Sequence, residues 1–358
     1  MSFVERKLIF GELEKKRGSR IITLLHSDRI SDTPINGINT HLAGDHLPVF
    51  HELLRRLGKP KLIDLWVYSR GGDMNVPWPL INSIRSYTEK LNLLVPFRAH
   101  SAATLLALGA DEIVMSPSGE LSPVDPTTAN QFNPRDPSNP GSVLGISVEE
   151  VTAFIEMAKD SIGIEGNANV VSILQTLTKD ISPIALGNVH RTYTQIREVS
   201  KKLLGLHMDI SKAEVRVTDI IDKLTKKLYS HLHAINRREA RDIIGLDVID
   251  ATDDEDTLMW KLYRDYVAEL HLNTQFNIRG FLGTQMESEL TLKGGFIETT
   301  DSSYVYISKN KITQASELPE KVLTGLIQGG QALPKTLFPG MAVRVDIALV
   351  QSGWIPNT

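Results

Sequence analysis

The stretches "SRGGDMN" (Ser69–Asn75) and "RAHSAATLLALGADEIVM" (Arg98–Met115) decide the fold, because each contains residues that ordinary packing does not require. The first places two glycines directly after the apolar run "LIDLWVYS". The second places a His-Ser pair at the start of a segment of small residues. Both follow predicted strands of one parallel sheet, and ligands of such sheets bind at the carboxyl ends of the strands. The sequence therefore raises the question whether the two stretches meet there or are only a tight turn and a buried helix.

The surrounding residues, from about 20 to 115, alternate between short apolar runs and helical patterns. The runs "RIITLLHS" (Arg20–Ser27) and "LIDLWVYS" (Leu62–Ser69) are apolar enough for strands that are buried on both faces. Between them, "HLPVFHELLRRLG" reads as a helix that ends at Gly58. This alternation predicts an α/β fold with crossover helices around a parallel sheet.

The later chain is predicted to be helical and then β-rich. Ser147 and Glu150 form a capping box that opens an amphipathic helix reaching Ile162. The stretch 126–142 is rich in Pro, Asn and Ser and is predicted to be a loop. From about residue 273, alternating runs such as "SYVYIS" predict a small β region, either a subdomain of its own or an extension of the sheet.

Composition excludes several classes of protein. The 358 residues are 41% hydrophobic and 23% charged, which is typical of a folded globular chain. The net charge of −4 argues against a general nucleic-acid binder, which needs a concentrated basic face. The absence of cysteine excludes disulfides, thiolate zinc sites and a cysteine nucleophile.

The sequence also lacks signals for membranes. The N-terminal stretch "MSFVERKLIFGELEKKRGSR" has no apolar core of the kind that secretory signals carry. No stretch approaches the roughly 18 consecutive apolar residues that a membrane span requires. We therefore expect a soluble, cytoplasmic protein with no membrane span.

Ser101 and the glycines are candidates for nucleophilic catalysis. A serine hydroxyl needs a base to take its proton and fixed donors to stabilise the oxyanion. The amides of Gly72 and Ala102 are suited to the second task, because neither a bulky side chain nor a helical partner obstructs them. The alternative is structural, since a serine before an apolar helix is more often an N-cap. His100 adjoins Ser101 in sequence and is expected to point elsewhere, in a structural or substrate-side role.

The order "YSRGGD", "AHSAATLLALGADEIVM" and "LSPVDPT" resembles the Clp-protease/crotonase-like superfamily. It is most similar to the serine dehydrogenase proteinase family, which is related to signal peptide peptidase A. That family has Pro-Gly-Gly, "AHSAGTLLALGADEIVM" and "LGPIDPQ" in the same order. The likeness extends into "LYSHLHAINRREARDIIGLDV" and covers roughly Arg20–Asp265. Two departures are Arg70 in place of proline and Ala103 in place of glycine.

The resemblance implies a Clp-protease/crotonase-like ββα superhelix with helical additions and a small C-terminal β region. It implies a serine endopeptidase, a hydrolase that forms an acyl-enzyme on Ser101 and uses the Gly72 and Ala102 amides as the oxyanion hole. The expected substrate is a peptide or unfolded protein, extended beside Gly71 and Gly72. A homo-oligomer is implied, and no cofactor is expected.

We divide the chain into three predicted parts on this basis. Residues 1–146 form the Clp/crotonase-like catalytic core. Residues 147–272 are a helical part that completes the core and makes oligomer contacts. Residues 273–358 are the C-terminal β-rich region.

The general base is the least determined part of the predicted site. The Clp proteolytic subunit has a histidine about where this chain has Val124-Asp125, so the resemblance does not support a Ser-His-Asp triad. Signal peptide peptidase A uses a lysine on a later element, and Lys159 lies in the comparable region. Partial burial at the edge of an apolar stripe would lower its pKa, although such lysines usually extend to the surface. Asp125 is predicted to bind substrate or, alternatively, to hold a polar partner or cap the next turn.

Two other functions fit the same residues. The first is a catalytically weak or inactive scaffold or sensor that binds peptide or a partner protein. The missing histidine favours this function, whereas the retained Ser101 argues against it. An acyl-coenzyme A enzyme of this fold lacks support, because no matching pair of carboxylates is evident. His231 and His233 form an H-x-H pair, but no carboxylate spacing accompanies it, and we expect no metal site. No phosphate-binding glycine loop is present.

Overall fold

The apolar runs identified in the sequence form the centre of a sheet that has eight strands in the described part of the chain. The computed structural model describes residues 2–125, 127–164, 166–227, 233–283, 285–317 and 342–357. The long and short strands are β1 Arg20–His26, β2 Leu62–Tyr68, β3 Lys90–Val95, β4 Arg98–Ala99, β5 Glu112–Met115, β6 Glu120–Leu121, β7 Thr127–Thr128, β8 Arg135–Asp136, β9 Asn139–Val143, β10 Ile146–Ser147, β11 Ile235–Asn236, β12 Val248–Asp250, β13 Glu287–Thr299, β14 Ser303–Glu317 and β15 Ala342–Pro356.

The helices flank this sheet and connect its strands. They are α1 Phe3–Arg17, α2 His46–Leu57, α3 Pro77–Arg85, α4 Ala102–Leu108, α5 Val148–Glu156, α6 Asn167–Asp180, α7 Pro183–Leu204, α8 Ile210–Asp222, α9 Asp253–Glu269 and α10 Ile278–Leu282. Three short π-helical segments span Met157–Ser161, Lys223–Lys227 and Glu239–Ile244. In the ranges that the structure describes, no helix is long and apolar enough to cross a bilayer.

The sheet combines a parallel half with an antiparallel half. Strands β12, β5, β3, β2 and β1 run parallel. The parallel sheet was predicted for β1, β2, β3 and β5 but not for β12, and six of the seven residues of β1 and of β2 are buried. Strand β13 then pairs antiparallel with β1, and β14 and β15 continue the antiparallel half. The C-terminal strands therefore extend the central sheet rather than forming a subdomain of their own.

Apolar cores cover both faces of the sheet. On one face, residues of α2, α3, α4, α7 and α8 pack together against the strands. On the other face, α1 and α9 cover Trp66, Tyr68 and their neighbours. The sequence analysis did not predict α1, whose high charge conceals a buried face containing Phe10 and Leu13. The architecture is thus three-layered, and the parallel strands are covered on both faces, as their composition requires.

Two local predictions can be compared directly with the structure. The capping box is confirmed: the Glu150 amide donates to Ser147 Oγ at 3.2 Å, and the helix α5 begins at Val148. The prediction of a plain loop over 126–142 is wrong, because the described part of that range contains β7, β8 and most of β9. Short strands in a Pro- and Asn-rich segment leave little periodicity to detect.

A second, three-stranded sheet holds the turn that carries Ser101. Strand β4 ends one residue before His100 and pairs in parallel with β6, with Ala99 opposite Leu121. Strand β11 pairs antiparallel with the other edge of β6. The small sheet therefore fixes the chain immediately before the predicted nucleophile.

Candidate active site

Ser101 has a backbone conformation that L-residues rarely adopt. It lies between β4 and α4 with φ 53° and ψ −117°. Among the described residues, only Ser101 and His271 combine a side chain with a positive φ. Such conformations cost on the order of 1–3 kcal/mol and occur where the surrounding structure imposes them, commonly at active sites. A serine on a strained turn between a strand and a helix is also the geometry that exposes a nucleophilic hydroxyl.

The turn is held by hydrogen bonds that leave this hydroxyl unused. The Ser101 amide donates to Ser122 Oγ at 2.8 Å, and Thr104 Oγ1 donates to the Ala99 carbonyl at 2.8 Å. The side chain of Ser101 makes no capping hydrogen bond to α4. The N-cap alternative considered from the sequence is therefore not what the structure contains.

Gly71 packs directly against this turn. A Cβ built on Gly71 would lie 2.8 Å from the Ser101 Cβ and 3.0 Å from the Ala102 nitrogen. These distances are far shorter than normal contacts, so the close approach requires a glycine. Its φ of 101° is also one that glycine adopts readily. The two stretches that the sequence analysis singled out do meet.

The contact between Leu42 and Gly71 orients the next amide. The Leu42 N–H donates to the Gly71 carbonyl at 2.8 Å, and the Asp73 N–H donates to the Leu42 carbonyl at 2.8 Å. In a planar trans peptide the C=O and the following N–H point in opposite directions. The Gly72 N–H therefore points away from Leu42, and it has no hydrogen-bond partner in the described part of the chain.

The Ala102 amide is the second unpaired donor. It belongs to the first residue of α4, where N–H groups have no intrahelical acceptor. The carbonyl four residues earlier, that of Arg98, accepts the Ser69 N–H at 2.9 Å instead. Within the ranges the structure covers, no acceptor faces the Ala102 N–H. Both predicted oxyanion donors therefore lack an acceptor among the described residues.

The edge beside the two glycines is already occupied. Leu42 forms a parallel β-bridge with Gly72. Gly71 uses both of its backbone groups within the chain, because its N–H donates to Ser69 Oγ at 3.0 Å and its carbonyl accepts from Leu42. The expected pairing of an extended peptide beside the glycines is not available on that edge. Substrate binding by Gly71 itself stays a prediction.

A polar cavity of about 500 Å³ opens beside Ser101. It is lined by Gly72, Asp73, Met74, Asn75, Ser101, Asp125, Thr127, Thr128, Ala129, Asn130, Asn188, Arg191 and Thr192. The titratable residues in this lining are Asp73, Asp125 and Arg191, and it includes no histidine or lysine. Ser101 and Gly72 therefore line one space, and the groups of its described lining that could act as a base are the carboxylates of Asp73 and Asp125.

Asp125 lies at the rim of this cavity and anchors the helix α5. Its Oδ2 accepts from Ser147 Oγ at 2.7 Å, and its Oδ1 accepts from the Glu149 N–H at 3.1 Å. These contacts match the capping alternative considered from the sequence. A role in binding substrate stays a prediction.

Lys159 lies elsewhere. It is exposed, in the π-helical segment that follows α5, and it lines an apolar groove of about 430 Å³ together with residues of α6 and α7. At 1.5 Å per residue, its backbone is about 16 Å along the helix axis from the start of α5 at Val148. The structure does not bring Lys159 into the lining of the Ser101 cavity, and the partial burial expected for it is absent.

His100 and Arg70 face carboxylates beside the site. His100 Nε2 lies 3.1 Å from Glu120 Oε1, and burial lowers the pKa of His100 to about 4 despite the attraction of Glu120. His100 thus contacts Glu120 and is not part of the lining of the Ser101 cavity. Arg70, which stands where the similar family has proline, pairs with Asp28 at 2.9 Å.

Three residues that shape the site were missed in the sequence. Leu42 orients the glycine turn, Ser69 receives the Gly71 amide, and Ser122 receives the Ser101 amide. Ser69 lies two residues before Gly71, and Ser122 is the first residue of "SPVDP". Their positions inside the quoted motifs were therefore a usable signal. Nothing in the local pattern marks Leu42.

Metal-binding groups are absent from the described ranges, where no three His, Cys, Asp or Glu side chains form a cluster that could hold an ion. His233 Nε2 lies 2.8 Å from Glu239 Oε1. His231 falls in residues 228–232, which lie outside the described residues.

The comparison with protein families finds a match over the first part of the chain. Residues 1–135 match the family of ClpP-like SDH-type serine proteinases. That range contains the glycine turn, the strained serine and the "LSPVDP" segment. The resemblance to the serine dehydrogenase proteinase family, and with it the mixed α/β fold of the Clp-protease type, is confirmed. The match supports a serine peptidase.

Two archaeal relatives and two solved structures are also similar. Uncharacterized protein MJ0137 of Methanocaldococcus jannaschii is 25% identical over 266 residues, which are 74% of this chain and 80% of the relative. Uncharacterized protein MJ1495 of the same organism is 26% identical over 123 residues, which are 34% of this chain and 42% of the relative. A mutant of the 1510-N membrane-bound stomatin-specific protease, in complex with a substrate peptide, is 12% identical with a TM-score of 0.35, covering 66% of this chain and 78% of its own. A second mutant of that protease is 13% identical with a TM-score of 0.35, covering 66% and 82%.

Proposed function

We propose that this chain is a serine peptidase in which Ser101 forms an acyl-enzyme and the Gly72 and Ala102 amides stabilise the oxyanion. The observation that carries the proposal is the strained Ser101 turn, with an uncapped hydroxyl beside an unpaired Gly72 amide that lines the same cavity. The family match over residues 1–135 supports the same chemistry.

The proposed reaction proceeds in two steps. The hydroxyl of Ser101 gives its proton to a base as Oγ attacks the peptide carbonyl carbon, and the carbonyl electrons move onto oxygen between the two N–H donors. The C–N bond then breaks, and the base returns the proton to the departing amine. Water attacks the resulting ester in the same way and regenerates Ser101. Each N–H donor of this kind contributes about 10²–10³-fold to the rate in characterised enzymes.

We propose a peptide or unfolded protein as substrate, bound across the cavity rather than along the edge that Leu42 occupies. The segment from Gly72 to Asn75 lines one part of the cavity, and the segment 127–130 lines another. Asn130, Asn188 and Thr192 add side chains able to bond peptide groups. This lining is suited to a polar backbone more than to an apolar side chain.

Hydrolysis assays test the proposed activity. Labelled casein and a peptide library are offered to the wild type, to Ser101→Ala and to Ser116→Ala. Ser116 is a matched control, because it is also buried and its hydroxyl has no partner within the described residues. We expect turnover by the wild type and Ser116→Ala and none by Ser101→Ala. Equal turnover by all three proteins would contradict the proposal.

The sequence-based assignment of Lys159 as general base is tested separately. Its position in the apolar groove gives this assignment no support, whereas the pattern of signal peptide peptidase A favours it. Lys159→Met abolishes acylation if Lys159 is the base. Lys179→Met is the control, since Lys179 is likewise exposed and lies at the end of α6. Unchanged turnover in Lys159→Met would remove this residue from the mechanism.

An inactive scaffold or sensor is the second candidate function. It is favoured by the absence of histidine and lysine from the described lining of the Ser101 cavity. Such a protein would bind unfolded casein equally well as wild type and as Ser101→Ala, with no hydrolysis by either. Homo-oligomerisation and a cytoplasmic location stay predictions. Sedimentation of the full chain tests whether it forms an oligomer.

A further inference from the structure

Three buried side chains and the exposed Asp45 form a hydrogen-bonded line behind the glycine turn. Asp45 Oδ1 lies 2.8 Å from His46 Nδ1, and His46 Nε2 lies 2.6 Å from His26 Nε2. His26 Nδ1 lies 2.8 Å from Ser69 Oγ, which in turn accepts the Gly71 N–H at 3.0 Å. His26, His46 and Ser69 are each no more than 2% exposed. Of these, only Ser69 belongs to the site as described above, where it accepts the Gly71 N–H.

The contacts of this line assign one direction to its protons. His46 Nδ1 lies 2.8 Å from two oxygen acceptors, the Asp45 carboxylate and the Ala43 carbonyl, and 3.3 Å from the Ala43 nitrogen. The two shorter contacts are with acceptors, so we assign the proton to this nitrogen. His46 Nε2 then accepts from His26 Nε2–H, and His26 Nδ1 accepts from the Ser69 hydroxyl. Burial and the nearby His46 and His41 hold the pKa of His26 well below its usual range, which keeps His26 neutral. Each member therefore donates once toward Asp45.

The line joins three elements of the fold to one amide. His26 ends β1, His46 is the first residue of α2, and Ser69 directly follows β2. The Ser69 hydroxyl donates its proton to His26, and its oxygen therefore accepts the hydrogen bond from the Gly71 N–H. A buried network that is fully satisfied in this way is rigid, and a partner removed from it leaves a costly unpaired group.

We propose that Ser69, His26 and His46 are positioning residues for the oxyanion hole. They hold the Gly71 N–H on one side, while Leu42 holds the Gly71 carbonyl on the other. Gly71 is thereby fixed at both its N–H and its carbonyl, and this carbonyl belongs to the peptide unit that carries the Gly72 N–H. This inference rests on the proposed function, because it assigns the line to the donor that Ser101 chemistry needs.

The variant Ser69→Ala tests the proposal with two readouts, and Ser116→Ala is again the matched control. The first readout is hydrogen exchange of the Gly71 amide, followed by NMR with glycine-selective ¹⁵N labelling. We expect exchange to accelerate by about ten-fold or more in Ser69→Ala, because the amide loses its acceptor. Ser116→Ala is expected to stay within about two-fold of wild type. The exchange measurement is repeated with Ser101→Ala and with the double variant Ser69→Ala, Ser101→Ala. Comparison of these two proteins gives the effect of Ser69 on the Gly71 amide without any contribution from turnover.

The second readout is the division of the kinetic effect. A misplaced oxyanion donor lowers kcat by about ten-fold or more and leaves KM nearly unchanged. Gly71 exchange that Ser69→Ala leaves unaltered would overturn the proposal, as would a kcat equal to that of the control. A wild type that hydrolyses nothing would instead contradict the proposed function, and the exchange result alone would then decide whether the line holds the turn.

Discussion

The amide of Leu42 donates to the carbonyl of Gly71 at 2.8 Å, and this single contact determines where the neighbouring Gly72 N–H points. A leucine outside every recognised motif therefore takes part in shaping the predicted oxyanion hole. The relationship also limits the turn sterically. Any side chain on Gly72 would meet the backbone of Leu42.

Replacement of Gly72 by alanine should destabilise the fold and abolish turnover. The new Cβ would overlap the backbone nitrogen and oxygen of Leu42, and φ at Gly72 is 146°. We expect the free energy of unfolding to fall by about 2 kcal/mol or more, measured by urea denaturation.

The matched control for this variant is Gly353→Ala. Gly353 has a similar φ of 152°, but a Cβ there would meet no atom within 4 Å. Gly353→Ala should therefore lower the free energy of unfolding only by the backbone cost of about 1 kcal/mol. Equal losses at the two glycines would show that the contact with Leu42 is unimportant.

Replacement of Ser101 by glycine and by alanine should separate strain from chemistry. Both variants lose the hydroxyl and should be inactive. Glycine relieves the strain of φ 53°, so Ser101→Gly should be more stable than Ser101→Ala by about 1 kcal/mol in thermal or urea unfolding. His271 has the same φ and is exposed, so His271→Gly and His271→Ala should show the same order. A more stable alanine variant at position 101 would contradict the assigned strain.

Acidification should destabilise the protein through its buried neutral histidines. The pKa of His100 is lowered to about 4 and that of His26 lies well below its usual value, mainly because of burial. Below about pH 6.5 the unfolded chain binds protons that the folded chain excludes, so stability falls as the pH falls. Between pH 6.5 and 5 we expect a loss of up to about 2 kcal/mol for each of these histidines.

Urea unfolding at a series of pH values measures this loss. The variant His100→Gln should reduce the dependence on pH, because it removes one of the groups that must stay neutral. A free energy of unfolding that is constant or rises between pH 6.5 and 5 would refute the assignment.

The buried ion cluster between α1, α9 and β13 should be essential for stability. Arg6 is 2% exposed and contacts Glu298 at 2.8 Å and Asp265 at 2.9 Å. Arg6→Met would leave two buried carboxylates without their cation, at a cost of about 3–5 kcal/mol. Lys16→Met, which breaks the exposed pair with Asp254, should have no measurable effect in the same unfolding assay. A loss at Arg6 no larger than that at Lys16 would contradict this account.

The sequence predicted the parts of the site that are encoded locally. Gly71, Gly72 and Ser101 stood out because they follow apolar runs, and the resemblance of their order to a known family assigned them to a site. The parallel strands β1 and β2 could be recognised because strands buried on both faces are continuously apolar. These signals extend over fewer than ten residues each.

The remaining features depend on contacts between distant residues and leave no local pattern. Leu42 reaches Gly71 across 29 positions, and His26 reaches Ser69 across 43. The same limitation affected Lys159. The sequence indicated its position at the edge of an apolar stripe but not its position relative to Ser101. The C-terminal strands alternated clearly, but alternation cannot indicate that β13 would pair with β1.

Covalent labelling of the intact chain with a fluorophosphonate, followed by mass spectrometry of its peptides, tests the central claim most directly. The account predicts one adduct, on the peptide that contains Ser101, which is absent from Ser101→Ala and retained in Ser116→Ala. An adduct on a different serine, or a wild type that stays unlabelled under conditions in which a known serine peptidase reacts fully, would contradict it.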